Sequence, residues 1–181
     1  LLGPAMEAAE LARLIGDLPS VSVGRVLDVP GIDVVRADDA TGIAELVDHL
    51  VGLGHRTIAH VDGGVGVISQ GRCAAYEAAM ARHGLQPVVA AGGHTEEHGR
   101  RAAAELDLDE VTAVVAFNDR TAIGVLDHLD GLGVPVPGAV SVTGFDDSLT
   151  ARLCRVDLTT VNQAPLDQAR LAVRSAIERL D

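Results

Sequence analysis

A chain of 181 residues, 48% of them hydrophobic, can bury the core of one large or two small domains, which excludes a disordered polypeptide. Its formal net charge of -12 excludes a piece that grips nucleic-acid phosphates on its own, because that affinity rests on Lys and Arg neutralising the backbone. No run approaches the roughly 18 apolar residues of a membrane span, Leu1-Leu2-Gly3-Pro4 carries no signal-peptide core, and Cys73 and Cys154 lack ligand-like spacing, so reduced thiols in a cytoplasm fit better than a disulfide framework.

In chain order, Leu1-Leu2-Gly3 reads as the tail of a strand and Met6 to Ile15 as an amphipathic helix, so the chain reads as a fragment that begins inside a domain. Strands are expected at Ser20 to Val23, Asp33 to Ala37, Thr57 to Val61, Pro87 to Ala90, Thr112 to Phe117, Val140 to Phe145 and, briefly, Leu158 to Val161. Helices fill the gaps at Thr41 to Leu53, Gln70 to His83, Glu96 to Leu106, Arg120 to Leu132 and Pro165 to Leu180. Gly54, Gly84 and Gly133 stand just past helical runs, where a left-handed cap suits glycine, and Pro165 fits a first helical turn. Apolar strand, polar turn and helix in repetition predict right-handed crossovers building a parallel sheet, an α/β fold whose ligands sit at the carboxyl ends of the strands.

Those carboxyl ends carry the chemistry. Val34 to Ala37 runs into Asp38-Asp39, Thr57 to Val61 into Asp62-Gly63-Gly64, Ala113 to Phe117 into Asn118-Asp119, and Val140 to Thr143 into Asp146-Asp147. Arg72, near the start of the helix after the glycine-rich loop, joins them. Carboxylates, an amide and a guanidinium offer bidentate hydrogen bonds to neighbouring hydroxyls or a ring edge, which suits a neutral polyol. Taken singly, an Asp or Asn after a strand caps a helix or makes a turn, so one member of each pair is expected to face ligand while the other braces.

Three other patterns compete. His94-Thr95-Glu96-Glu97-His98 has the spacing of a zinc-peptidase motif, but it follows Gly92-Gly93 at a helix start, where Thr95 as N-cap and first-turn acids account for the same letters. Gly63-Gly64-Val65-Gly66 lacks the Gly-Lys-Ser/Thr ending of a phosphate loop and reads as a loop at a cleft rim. Ser69 and Ser141 have no nucleophile-elbow context, and His60 inside an apolar strand reads as a core histidine.

The ordered set of segments resembles one family. Val35-Arg36-Ala37-Asp38-Asp39 with Gly42, His49 to Ala59, Arg72 and Tyr76, Thr112 to Asp119 with Ala122 and Gly124, Val136-Pro137 with Val140 to Asp147, and Leu158 to Val161 with Gln163 are similar to the ligand-binding domain of lactose-repressor/galactose-repressor (LacI/GalR) type transcriptional regulators. Two departures are Ala75, where the family has glycine before the aromatic, and Val156-Asp157, where it has proline.

The resemblance implies a periplasmic-binding-protein-like type I fold, with two Rossmann-like lobes around a cleft and the first lobe incomplete. Residues 1–54 would belong to the first lobe, 55–162 to the second, and 163–181 to a helix returning to the first. Missing would be a helix-turn-helix headpiece, the opening elements of the first lobe and the last strand of the second. It further implies a cytoplasmic homodimer that is not an enzyme and carries no cofactor or metal. A small-molecule effector, a sugar or related polyol before a nucleobase, would bind through Arg72, Asn118 and Asp146, with Asp38, Asp39 and Gln163 as further positions. Lobe closure about Gly54-His55 and Thr160 to Gln163 would change how operator DNA meets the headpiece. A periplasmic sugar-binding protein of a transporter, marked by an upstream signal peptide, and a metal-dependent hydrolase using His94 and His98 are the alternatives.

Overall fold

The computed structural model describes residues 7–16, 18–153 and 157–180. The expected strand tail at Leu1-Leu2-Gly3, the helix start at Met6, and Cys154 and Val156 lie outside them. In chain order the elements are α1 (Ala8–Ile15), β1 (Ser20–Val23), β2 (Ile32–Val35), α2 (Asp39–Gly52), β3 (Ile58–Val61), α3 (Val67–Arg82), β4 (Val88–Ala90), α4 (Glu96–Ala104), β5 (Ala113–Ala116), α5 (Asp119–Gly131), β6 (Ser141–Thr143), α6 (Leu149–Leu153) and α7 (Pro165–Glu178). They fall into two compact units, one made of the described residues up to Asp38 with those from Ala164 on, the other running Asp39–Gln163.

In the smaller unit β1 and β2 pair in parallel, Ser20 opposite Ile32 through Val23 opposite Val35. Asp33 on β2 ties α7 down: it accepts from Arg179 Nε at 2.8 Å and from the Ser175 hydroxyl, and the Arg179 guanidinium holds its carboxyl well below the usual range.

The larger unit is a four-stranded parallel sheet in the order β4-β3-β5-β6. Every residue of β3 and β5 is buried, as an unbroken apolar run predicts for strands covered on both faces. One face packs Ala59, Val61, Val114, Ala116 and Val142 against Ala102, Ala103, Val125 and Leu129 of α4 and α5. The other packs Ile58, Ala113, Val115 and Phe145 against Ile43, Leu46, Val47 and Leu50 of α2 and Tyr76, Ala79 and Met80 of α3. Each fully buried large apolar side chain contributes about 1.5–3 kcal/mol. Helices α4 and α5 cross so closely that a Cβ on Gly99 would strike the Thr121 carbonyl and one on Gly124 the Glu96 carbonyl. Packing of α2 on α3 puts the unit boundary at Asp38, one helix before the lobe boundary at Gly54 that the family resemblance implies.

Most expected elements form, with shifts of a few residues at their ends. Gly54, Gly84 and Gly133 take the positive φ expected past a helix. Two segments differ. Leu158 to Val161 makes only isolated bridges, Thr143 to Thr159 and Asp146 to Asn162; the Gly144 and Asp146 N–H groups donate to the Thr159 and Val161 carbonyls at 2.9 Å, and the Thr160 hydroxyl adds contacts to Asp119 and to the Asp147 N–H. Leu149–Leu153 forms a short helix that no periodicity announced, started by the Ser148 hydroxyl accepting from the Ala151 N–H. No helix among the described residues is long and apolar enough to cross a membrane.

Candidate functional site

Strand order reverses between β3 and β5: β3 connects outward to β4, whereas β5 leads the other way to β6. At such a point the loops leaving two adjacent strands diverge to opposite faces and leave a crevice beyond the carboxyl ends. Val61-Asp62-Gly63, Phe117-Asn118 and Phe145-Asp146 are the chain segments that leave β3, β5 and β6 there.

Arg72, on the second turn of α3, is the centre of this end. Its side chain is only 4% exposed. Nε donates to Asp39 Oδ1 at 2.8 Å, Nη2 lies 2.7 Å from the same oxygen, and Nη1 donates to the Phe117 carbonyl at 2.6 Å. The guanidinium lies over the rings of the chain's two phenylalanines, its Cζ 3.6 Å from the Phe145 centroid and 4.7 Å from that of Phe117. Gly63 makes room for this stack, since a Cβ there would come within 2.5 Å of the Phe117 ring.

Asp146 approaches Arg72 from β6, its Oδ1 3.9 Å from Nη2, and accepts from the Gln163 amide on the same oxygen. Burial pushes its carboxyl up to about 6; Arg72 and the Gln163 hydrogen bond oppose that, and Asp119 and Asp39 add to it. The side chain stays 35% exposed, and its contacts with Arg72 and Gln163 both fall on Oδ1. Asp146 holds φ 122° and Asp147 φ 49°. A non-glycine residue at positive φ costs about 1–3 kcal/mol and collects at ligand sites.

The remaining expected residues divide as caps and faces. Asn118 is the N-cap of α5: Oδ1 accepts from the Thr121 N–H at 2.8 Å, and Nδ2 donates to the His94 carbonyl at 3.5 Å. Asp119, fully buried, accepts from the Ser148 N–H at 2.7 Å and the Thr160 hydroxyl at 2.5 Å. Asp147 pairs with Arg152 and Asn162. Asp38 is exposed and belongs to the smaller unit, whereas Asp39 stands in the first turn of α2 against Arg72. The structure thus gathers Arg72, Asp39, Asp146 and Gln163 in one constellation, with Asn118 beside it as a cap.

Sequence reading passed over Phe117 and Phe145 as mere strand ends. The signal was present: with 2% aromatic residues, both phenylalanines stand immediately before a polar pair at a strand terminus. The Asp62 carboxylate braces the loop, accepting from the N–H groups of Gly64 at 2.9 Å and Gly92 at 2.8 Å. Nearby, Thr95 caps α4 by accepting from the His98 N–H, and His94 packs edge-on to Phe117. Among the described residues no three His, Cys, Asp or Glu side chains gather as a metal would need. His60 lies wholly buried, stacked on Tyr76, with Nδ1 donating to the Val115 carbonyl, Nε2 unpartnered and its pKa pushed down to about 4 by burial.

Comparison with known proteins agrees with this architecture. The profile of the periplasmic binding protein-like domain matches residues 47–181. The chain is 32% identical to the HTH-type transcriptional regulator GalR of Escherichia coli over 96% of its own length and 52% of that protein's, so it spans about half the length of the curated relatives it matches. Superposed on a LacI transcriptional regulator from a Rhodococcus species, it gives a TM-score of 0.93 at 43% identity, covering 99% of this chain and 68% of that one. A LacI family regulator from Lactobacillus casei, solved with bound glucose, gives 0.85 at 27% identity over 96% of this chain and 69% of that one. These matches are regulators rather than enzymes.

Proposed function

This chain belongs to the LacI family of transcriptional regulators as its periplasmic-binding-protein-like, effector-binding domain, and from that premise we propose that it senses a sugar or related polyol at the carboxyl end of the four-stranded sheet. The observation that carries the reading is the buried Arg72, lying over two phenylalanine rings, paired with Asp39 and facing the strained, partly exposed Asp146. Arg72 is held rigid by its neighbours, so its remaining N–H groups and the Asp146 carboxylate present a fixed donor and acceptor to adjacent hydroxyls. Gln163, hydrogen-bonded to Asp146, lets a ligand there act on the segment that leads into α7. The glucose held by the Lactobacillus casei regulator supports a sugar as the ligand class.

The intact protein acts as a cytoplasmic homodimer whose effector shifts a conformational equilibrium and so changes operator binding by a helix-turn-helix headpiece. A ligand moves such an equilibrium only by its differential affinity for the two states, and charge-assisted hydrogen bonds in a partly desolvated site supply it. Arg72, Asp146, Gln163 and Asp39 are the contacts or immediate supports, and Asn118 contributes through the second N–H of its amide. In the intact regulator, Arg72→Ala or Asp146→Ala should weaken effector binding about 10- to 100-fold, the worth of a charged hydrogen bond, while operator binding persists. Unchanged induction in both variants overturns the assignment.

A further inference from the structure

We infer that this site takes an uncharged hydroxyl-bearing ligand and rejects the phosphate ester or carboxylate of the same sugar, an inference that rests on the proposed function above.

An anion needs a cation whose charge is not already balanced. The chain contains no lysine, so arginine is its only permanently charged cationic side chain. Arg72 in α3, Arg120 in the first turn of α5 and Arg152 in α6 are each locked to a carboxylate. Arg72 places Nε and Nη2 on Asp39. Arg120 holds Glu96 through Nε at 2.9 Å and Nη2 at 2.7 Å, and this pairing pulls the Glu96 carboxyl down to about 2. Arg152 holds Asp147 through Nε at 3.0 Å and Nη2 at 2.6 Å. The rings of Phe145 and Phe117, which the guanidinium overlies, complete the enclosure of Arg72.

The acids outnumber what these cations balance. Asp146 faces Arg72 at 3.9 Å after Asp39 has taken that guanidinium at 2.7 Å, and Asp119 lies close enough to raise the Asp146 carboxyl further. An added negative charge beside Asp146 meets like charge in a partly desolvated place, where repulsion is stronger than in water. A neutral hydroxyl instead donates to Asp146 and accepts from Arg72, leaving every ion pair intact. The feature that would favour an anion is the first turn of α3, which begins at Gly66 without a side-chain cap. The test therefore has to let that feature win if it can.

Calorimetric titration of the intact protein near neutral pH, with a panel of neutral mono- and disaccharides, each paired with its phosphate ester and its sugar acid, decides the matter. For any sugar that binds, the anionic derivative should bind at least about tenfold more weakly. Asp146→Asn should shrink that ratio, because it removes the opposing charge and keeps the side chain's shape. An anionic derivative that binds as tightly as its parent, with binding lost in Arg72→Ala, overturns this inference and leaves the proposed function standing. Absence of binding by the whole panel, or binding indifferent to both Arg72→Ala and Asp146→Ala, overturns the two together.

Discussion

The two ends of the four-stranded sheet are built from different chemistry. At the amino end, His55 spans two strands, with Nδ1 2.9 Å from the Thr112 hydroxyl and Nε2 3.0 Å from that of Ser141. Burial lowers the pKa of His55, and His49 adds to that, which favours the neutral imidazole beside two neutral partners. At the carboxyl end a guanidinium lies buried against two rings, burial pushes an aspartate carboxyl up to about 6, and two aspartates hold positive φ. The amino end stabilises with ordinary hydrogen bonds, whereas the carboxyl end keeps strain and imperfectly balanced charge that a purely structural edge would have no reason to hold.

Phe145→Ala should widen the contrast most. Phe145 is wholly buried and covers one face of Arg72, so its loss opens a cavity and unstacks the guanidinium. Denaturant unfolding should register a loss of about 3–5 kcal/mol. A loss under about 1 kcal/mol would mean that the carboxyl end is not packed as described.

At the amino end His55→Ala removes two hydrogen bonds from a partly exposed position, and about 1 kcal/mol should go, with effector affinity untouched. A variant that binds effector differently would show that the two ends are coupled and that their division of labour is wrong.

The smallest effect concerns pH. Asp146 is faced by Arg72 from α3, Asp39 from α2, Asp119 from α5 and the Gln163 amide. Its carboxyl is raised from 3.8 to about 6 in the folded protein, so between those values the folded state holds more protons than the unfolded one. Its contribution to stability is therefore full below 3.8 and is lost as pH rises through about 6. Asp146→Asn should remove that component from the stability-against-pH curve and leave the protein no less stable near neutrality. A superimposable pH curve for the variant would show that Asp146 titrates normally.

These effects also show what could be read from the sequence and what could not. Burial on both faces made β3 and β5 legible as unbroken apolar runs, and helical spacing at Ile43, Leu46, Val47 and Leu50 marked α2. Arg72 and Asp146 could be named because polar clusters recur at several strand ends and because the ordered segments around them resemble one family. The partner of Arg72 could not: Asp39 lies 33 positions away, and only the packing of α2 on α3 brings them together. Nor was the Asn118 cap separable from a ligand contact, since the same letter serves both. The bridges at Thr159 and Asn162 rest on two isolated backbone hydrogen bonds, and the short helix at Leu149–Leu153 starts from one side-chain hydrogen bond; neither leaves a periodicity behind.

Hydrogen exchange on the intact protein, with and without a neutral sugar that binds, tests the central claim most directly. The account predicts slowed exchange at the backbone of Gly63 to Arg72, Phe117 to Thr121 and Gly144 to Asp147, with His55, Thr112 and Ser141 unchanged. Protection confined to the amino end of the sheet, or absent from all three carboxyl-end segments while the sugar is bound, would contradict it.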